Sequence, residues 1–343
     1  MEGAIKIERI DEKDYKNFVD NFETYSFLQD YEWGEVEKNL GREVIRYGIY
    51  YNENLIGTSQ IIGYKAKRGN FLLIPHGPLI KKEYYEKIYE IIEKIIEKIK
   101  EEKLNKHYVF LRLNSGFFKE DVDLEKFKKI GFNLAPIWTV SENFWIKEID
   151  KNEEDLLSEM DKSHRKLILD SLDKDFLEIE ETDDLNKIND FWKIYESLAN
   201  RKNFTPYPYE LIKNEFEIFS KIGKAKLYFG KVEEKYYSAA LIIFSHDSAF
   251  YHHGASLPIR EPINYKLHWK IILDAKNRGC KFYNMWGITL SNDINHPWYG
   301  LTQFKKGFGG KLIKLLETLD YKFSKKYYLT YIYEKIRRTR KRL

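Results

Sequence analysis

Lys305 stands in the segment Gly300 to Leu312 (GLTQFKKGFGGKL), where an ammonium group among glycines offers charge and hydrogen-bond donors to an anion. Taken alone, such a residue reads as a surface lysine on a glycine-rich loop. Arg201, in Arg201-Lys202-Asn203-Phe204, is able to grip a phosphate or carboxylate with both arms of its guanidinium, or to make an ordinary surface ion pair. His246, His252 and His253 raise the question of a metal. Adjacent residues on a strand point to opposite faces, so His252 and His253 are expected not to share one ion, and no metal is expected. The steps His76-Gly77 and His253-Gly254 are expected at strand ends where the backbone lies close to a ligand or another sheet; a satisfied core histidine is the plainer alternative. Cys280, the single cysteine, precedes an apolar run and reads as a small buried hydrophobe rather than a nucleophile. No Gly-x-Ser-x-Gly elbow is present to support a serine hydrolase.

The elements that must position these residues occur twice in the same order. Tyr47 to Tyr64 and Leu227 to His246 each read as strand, polar turn, strand, with turns at Asn52-Glu53-Asn54 and Glu233-Glu234-Lys235. Each hairpin is followed by a short strand carrying a histidine-glycine step, Phe71 to Pro78 and Phe250 to Ser256. A helical pattern comes next, Lys82 to Lys103 and Pro262 to Arg278, with apolar residues at three- and four-residue spacing. A further strand closes each copy, Tyr108 to Leu113 and Lys281 to Trp286. This repetition, about 180 residues apart, predicts a duplicated α/β (α+β) unit with a mixed sheet. The charged stretch Lys147 to Asp175 is expected to connect the copies and to hold a helix capped near Asp150 or Asn152.

A chain of 343 residues fits two domains of roughly 150 to 170 residues each. The 58 Lys and Arg against 54 Asp and Glu leave a net charge of +4, so any nucleic-acid contact must use local patches. A lone cysteine excludes an intramolecular disulfide and fits a reducing, cytoplasmic setting. Met1 to Asp20 has no apolar core of a signal peptide, and no run approaches the ~18 apolar residues of a membrane span. Tyr321 to Leu343 is basic and aromatic: Lys322, Lys325, Lys326, Lys335, Arg337, Arg338, Arg340, Lys341 and Arg342 oppose only Glu334. It reads as a solvated helix or as a contact for lipid headgroups or nucleic-acid phosphate, the latter two being salt-sensitive.

Several blocks taken in order resemble the FemABX family. Gly279 opens GCKFYNMWGI, a glycine-led strand ending in Gly-Ile, and Gly300 begins a segment of Gly-Leu, two residues, Phe-Lys, two residues, Phe-Gly-Gly. Phe27 to Gly41 (FLQDYEWGEVEKNLG) resembles the family's Gln and Trp opening, and Arg201 to Phe204, Tyr251 to Ser256 and Ile74 to Pro78 match further blocks. The resemblance implies two tandem GNAT-like domains, 1–147 and 148–317, with 318–343 returning to the first and a substrate channel along and between them. It implies a compact member, an aminoacyl transferase that moves an amino acid from aminoacyl-tRNA to an amine of a muramyl-peptide precursor in the cell wall. No cofactor is then needed beyond the charged tRNA, and peripheral contact with the inner face of the plasma membrane is a further expectation.

The same resemblance assigns Lys305 to stabilise the tetrahedral oxyanion. Trp33, Arg201, Tyr251 and Phe304 are carried over as substrate-binding positions. The family's acceptor-binding lysine, a few residues after the opening Trp, is replaced here by Glu37, so either Lys38 serves with a shifted register or the acceptor's head is bound differently. Asn114-Ser115 replaces the family's Asp-Pro pair, which removes a carboxylate base there. Two other readings stand beside this one. An acyl-coenzyme A transferase of the same fold would need an Arg/Gln-x-x-Gly-x-Gly/Ala loop, and its nearest candidate, Phe304 to Gly309, begins with Phe. A non-enzymatic membrane or RNA module would rest on the basic end alone.

Overall fold

The computed structural model describes residues 4–341, so Arg342 lies outside the described residues. It divides into two units, Met1–Glu142 with Lys314–Leu343, and Asn143–Ile313. In the first unit the chain forms β1 (Ile5–Arg9), α1 (Glu12–Asp20), α2 (Tyr31–Asn39), β2 (Glu43–Tyr51), β3 (Asn54–Tyr64), β4 (Phe71–Pro75), β5 (Leu79–Ile80), α3 (Ile88–Glu101), β6 (Phe110–Asn114), α4 (Leu124–Ile130) and β7 (Phe132–Leu134). The second unit holds β8 (Asn143–Glu148), α5 (Glu153–Ser158), α6 (Lys162–Leu172), β9 (Leu177–Thr182), α7 (Ile188–Lys202), α8 (Tyr209–Lys221), β10 (Ala225–Val232), β11 (Lys235–Ser245), β12 (Ser248–Ser256), α9 (Ile263–Asn277), β13 (Phe282–Gly287), α10 (Tyr299–Gly307) and β14 (Lys311–Lys314). The chain then returns to the first unit with β15 (Leu319–Lys322) and α11 (Tyr327–Lys341).

Local chemistry explains the repeated elements. The β2–β3 turn places Asn52 and Glu53 at φ of 48° and 63°, the left-handed pair that a tight hairpin requires. Helix α3 buries Ile88, Ile91, Ile92, Ile95, Ile96 and Ile99, a stripe at helical spacing that lies on the first sheet's core. Asn152 caps α5 by accepting the Asp155 amide proton at 2.8 Å.

The sheets run β1-β2-β3-β4-β6-β15-β7, with β5 beside β3, and β9-β10-β11-β12-β13-β8-β14. Each contains a parallel pair, β4 with β6 and β12 with β13, joined by the crossover helices α3 and α9. The two orders superpose element for element except at the sixth place. There the first sheet takes β15 from beyond the second unit, and the second takes β8, which precedes the rest of that unit. The expected boundaries therefore shift. Lys147 pairs with Tyr283 in the second sheet, so the division falls at 142/143 and 313/314 instead of 147/148 and 317/318. Lys147 to Asp175 is likewise no connection: it contributes the end of β8 and the helices α5 and α6 to the second unit. Among the described residues, no helix is long and apolar enough to cross a membrane.

Candidate active site

Helix α10 carries Lys305, and the expected glycine-rich loop is in fact the last turn of this helix. Thr302 and Lys305 fall on its buried side, and only 4% of Lys305 is exposed. Its Nζ donates to the carbonyl oxygen of Gly287, at the end of β13, at 2.7 Å and lies 5.9 Å from the centre of the Tyr251 ring. Among the described residues no carboxylate comes within ion-pair range. Burial consequently lowers the amine to about 7.

Aromatic side chains and histidines gather beside it. Phe304 is half-buried; its carbonyl accepts from His164 Nε2 at 3.0 Å, and its ring meets Tyr265 at 5.6 Å and His268 at 5.2 Å. His268, on α9, shares a hydrogen bond of 2.7 Å with the Tyr283 hydroxyl and stands edge-on to Tyr251 at 4.6 Å. Burial, then the charge of Lys305, then His164 push His268 down to about 3, which keeps it neutral. His164 and His268 were not anticipated from the sequence. The only signal for His268 was a polar residue on the apolar side of α9, between Leu267 and Trp269.

The glycines of the signature have structural reasons. Gly309 and Gly310 take φ of 76° and 104°; a Cβ at Gly309 would meet the Glu159 carbonyl at 2.6 Å, and one at Gly310 would strike the Ile146 carbonyl. They let the turn after α10 lie against β8 and the end of α5. Trp286 also adopts a left-handed φ, 62°, just before the carbonyl that holds Lys305. That is an uncommon conformation for a bulky side chain, and it is maintained by stacking on Phe144 at 5.2 Å and an edge contact with His252 at 4.9 Å.

The expectation that His252 and His253 face apart is overturned. A bulge in β12 pairs Leu241 with His253 and Ile242 with Tyr251, leaving His252 as the extra residue. Both imidazoles reach one carboxylate: His252 Nδ1 lies 2.6 Å from Glu215 Oε1, and His253 Nε2 lies 3.0 Å from Oε2. Glu215, on α8, is fully buried; burial works against its charge, but His252 and His253 outweigh this and bring it to about 2. These three groups each offer a ligand atom, all within 4.8 Å of one another, so they form a cluster able to hold a metal. The His253-Gly254 step lies inside β12 rather than at its end. A Cβ at Gly254 would run into the Tyr251 hydroxyl, so this glycine leaves room for the ring beside Lys305.

The other site expectations are spread more widely. Arg201, in the last turn of α7, is exposed and donates to the Ser256 carbonyl at 2.8 Å; among the described residues it has no carboxylate partner. Trp33 and Lys38 belong to the first unit, on α2. Trp33 is buried edge-on to Phe27 at 5.7 Å, whereas Lys38 is exposed and paired with Glu35 at 2.8 Å. Glu37, in the family lysine's place, is buried with Arg42 and the Tyr64 hydroxyl. Gln29 of the same block accepts from the Gln60 amide at 2.7 Å and donates to the Pro75 carbonyl at 2.8 Å, which ties this segment to β3 and β4. His76 bonds Ser26 Oγ at 2.7 Å and the Ser141 carbonyl at 2.9 Å, a satisfied core histidine.

The family model described as FemAB matches residues 10–243 and 238–335. No curated protein matches the chain. Among solved structures, FemX aligns with a TM-score of 0.81 at 17% identity, covering 95% of this chain and 99% of that one. L-PGS from Bacillus licheniformis aligns with 0.56 at 13%, covering 96% and 98%. A tandem GNAT protein from the clavulanic acid biosynthesis pathway gives 0.55 at 7%, covering 94% and 99%. These identities speak for the fold, which is α/β with two tandem GNAT-like domains built on mixed sheets. A duplicated GNAT-like fold and a family model spanning nearly the whole sequence together make this chain a member of the FemAB family.

Proposed function

We propose that this protein transfers an aminoacyl group from aminoacyl-tRNA to an amine of a muramyl-peptide precursor, with Lys305 stabilising the oxyanion. Family membership supports a transferase of peptidoglycan bridge formation at the family level. The observation that carries the mechanism is a buried lysine amine with one carbonyl partner and, among the described residues, no compensating carboxylate. The acceptor nitrogen attacks the ester carbonyl and a C–N bond forms while the carbonyl electron pair moves onto oxygen. Collapse of this tetrahedral species breaks the bond to the ribose oxygen, which ends with the proton that the nitrogen releases. No covalent enzyme intermediate is required, because the ester is already activated.

Lys305, poised at about 7 before reaction, binds its proton more tightly as negative charge grows on the neighbouring oxygen. Its electrostatic contribution is therefore larger in the transition state than in the ground state. Phe304 and Tyr251 are assigned to the wall that receives the aminoacyl end, and Arg201 to a phosphate of either substrate. Trp33 is given a shaping role by its burial, and Lys38 an acceptor contact that requires release from Glu35. We further propose that the reaction needs no cofactor and no metal. Phe304 to Gly307 forms the C-terminal turn of α10, where carbonyls rather than amides are left over, which is the wrong polarity for the pyrophosphate of coenzyme A.

The test is incubation of the purified protein with a mixture of charged tRNAs and soluble or lipid-linked muramyl peptides, followed by mass analysis. One added amino acid on the peptide is the expected product. Acylation from coenzyme A thioesters but not from charged tRNA would instead establish the other acyltransferase reading.

A further inference from the structure

We propose that the outward face of α11 docks on an anionic lipid bilayer. This inference stands independently of the transferase reading, because it rests on a different helix and on different side chains. The buried side of α11 is formed by Tyr327 and Thr330, with half-buried Glu334 in line with them. Opposite, Tyr328, Ile332 and Ile336 at four-residue steps, with Leu329, form a stripe in solvent, and Tyr333 lies at its edge towards the β3–β4 loop. Leu329 and Ile332 are 62% and 56% exposed, and so much aliphatic surface along one helix has no role in the unit's own core.

The charges complete an interfacial pattern. Lys325, Lys326, Lys335, Arg337 and Arg340 are exposed on or beside this helix. Its one carboxylate, Glu334, is turned inward and held by Arg112 Nη2 at 2.7 Å, so no acid of the helix opposes them. The β3–β4 loop adds Lys65, Lys67 and Arg68, exposed, with the Arg68 guanidinium 3.4 Å from the centre of the Tyr333 ring. Lys67, Arg68 and Arg337 line one cleft with Tyr333. An apolar stripe between rows of cations matches the boundary between acyl chains and anionic headgroups. Nucleic acid would satisfy the cations but leave the aliphatic stripe without a partner, so lipid is the occupant favoured.

The experiment is sedimentation of the full chain with vesicles of neutral phosphatidylcholine and with vesicles containing phosphatidylglycerol, at low and high salt. Native protein is expected to sediment with the anionic vesicles, to bind neutral ones about tenfold more weakly, and to be partly released by salt. The variant Leu329→Gln/Ile332→Gln/Ile336→Gln, altered only at exposed positions, is expected to lose about tenfold or more in binding with an unchanged melting temperature. Lys335→Gln/Arg337→Gln/Arg340→Gln is expected to abolish the preference for anionic vesicles. Native protein that remains in the supernatant overturns the proposal, as does a stripe variant that sediments like native protein. Retention on uncharged tRNA, lost in the charge variant but not in the stripe variant and unaccompanied by vesicle binding, overturns it in favour of RNA.

Discussion

Two buried cations, one in each unit, are treated in opposite ways. Arg112, on β6, is 1% exposed and bound through Nε and Nη2 to both oxygens of Asp320 at 2.8 Å, with Glu334 at 2.7 Å. Burial works against its charge, but Asp320 and Glu334 outweigh burial and raise its pKa, so it is always charged. Lys305 is buried to a similar degree, yet it has a single carbonyl partner and its amine is lowered to about 7. A fold that meant Lys305 only as a strut would have supplied a carboxylate, as it does for buried Lys147 with Glu159 at 2.9 Å. An uncompensated buried cation is costly to keep, which is the expectation for a group held ready for a negative charge that arrives with substrate.

Arg112→Met strands two carboxylates, one of them fully buried, and is expected to cost about 3–5 kcal/mol of stability, read by denaturant unfolding. An unchanged midpoint would mean that this network contributes nothing. Lys305→Met is expected to act with the opposite sign, stabilising the fold by about 1–4 kcal/mol. The folded amine titrates below its ordinary value near 10.5. The penalty of charging it is therefore fully present below about 7 and fades as pH rises towards 10.5, so the gain should fade in the same window. A gain that instead grew with pH would contradict the assignment of burial as the cause.

If the ammonium form is required, transfer by native protein should decline as pH rises through about 7, whereas Lys305→Arg should move this descending limb to far higher pH. A rate that climbs through that range and is lost in Lys305→Arg would make Lys305 a base. Gly254→Ala, which drives a methyl into the Tyr251 hydroxyl, is expected to lower kcat about tenfold by displacing the ring beside Lys305. Equal kcat for variant and native protein would remove Tyr251 from the site. The smallest effect is expected from chelation: dialysis against EDTA should leave transfer unchanged, since Glu215, His252 and His253 are assigned to satisfying one another. Loss of activity restored by added Zn²⁺ would turn that cluster into a metal site.

Much of the fold was legible because its signals are local. The hairpin turns, the apolar stripe of α3 and the twofold element order each depend on residues close together in sequence. The exchange of β8 and β15 was not legible, because a strand's own pattern shows that one face is buried without naming the sheet that buries it. The meeting of His252 and His253 was missed for a related reason. A bulge interrupts the two-residue period on which strand arguments rest, and the shared carboxylate at Glu215 lies on a separate helix. Lys305 was singled out through the family resemblance. Its place in a helix was obscured by Gly300 and Gly307, the latter tolerated because the His164 ring fills the space of a side chain.

The most direct measurement is the single-turnover rate of aminoacyl transfer by native protein and by Lys305→Met, with charged tRNA and muramyl peptide both saturating. A fall of about 10²–10³ with native-like binding of both substrates is the predicted result. A variant that lacks the amine and still transfers within a few-fold of the native rate would show that the oxyanion is stabilised elsewhere.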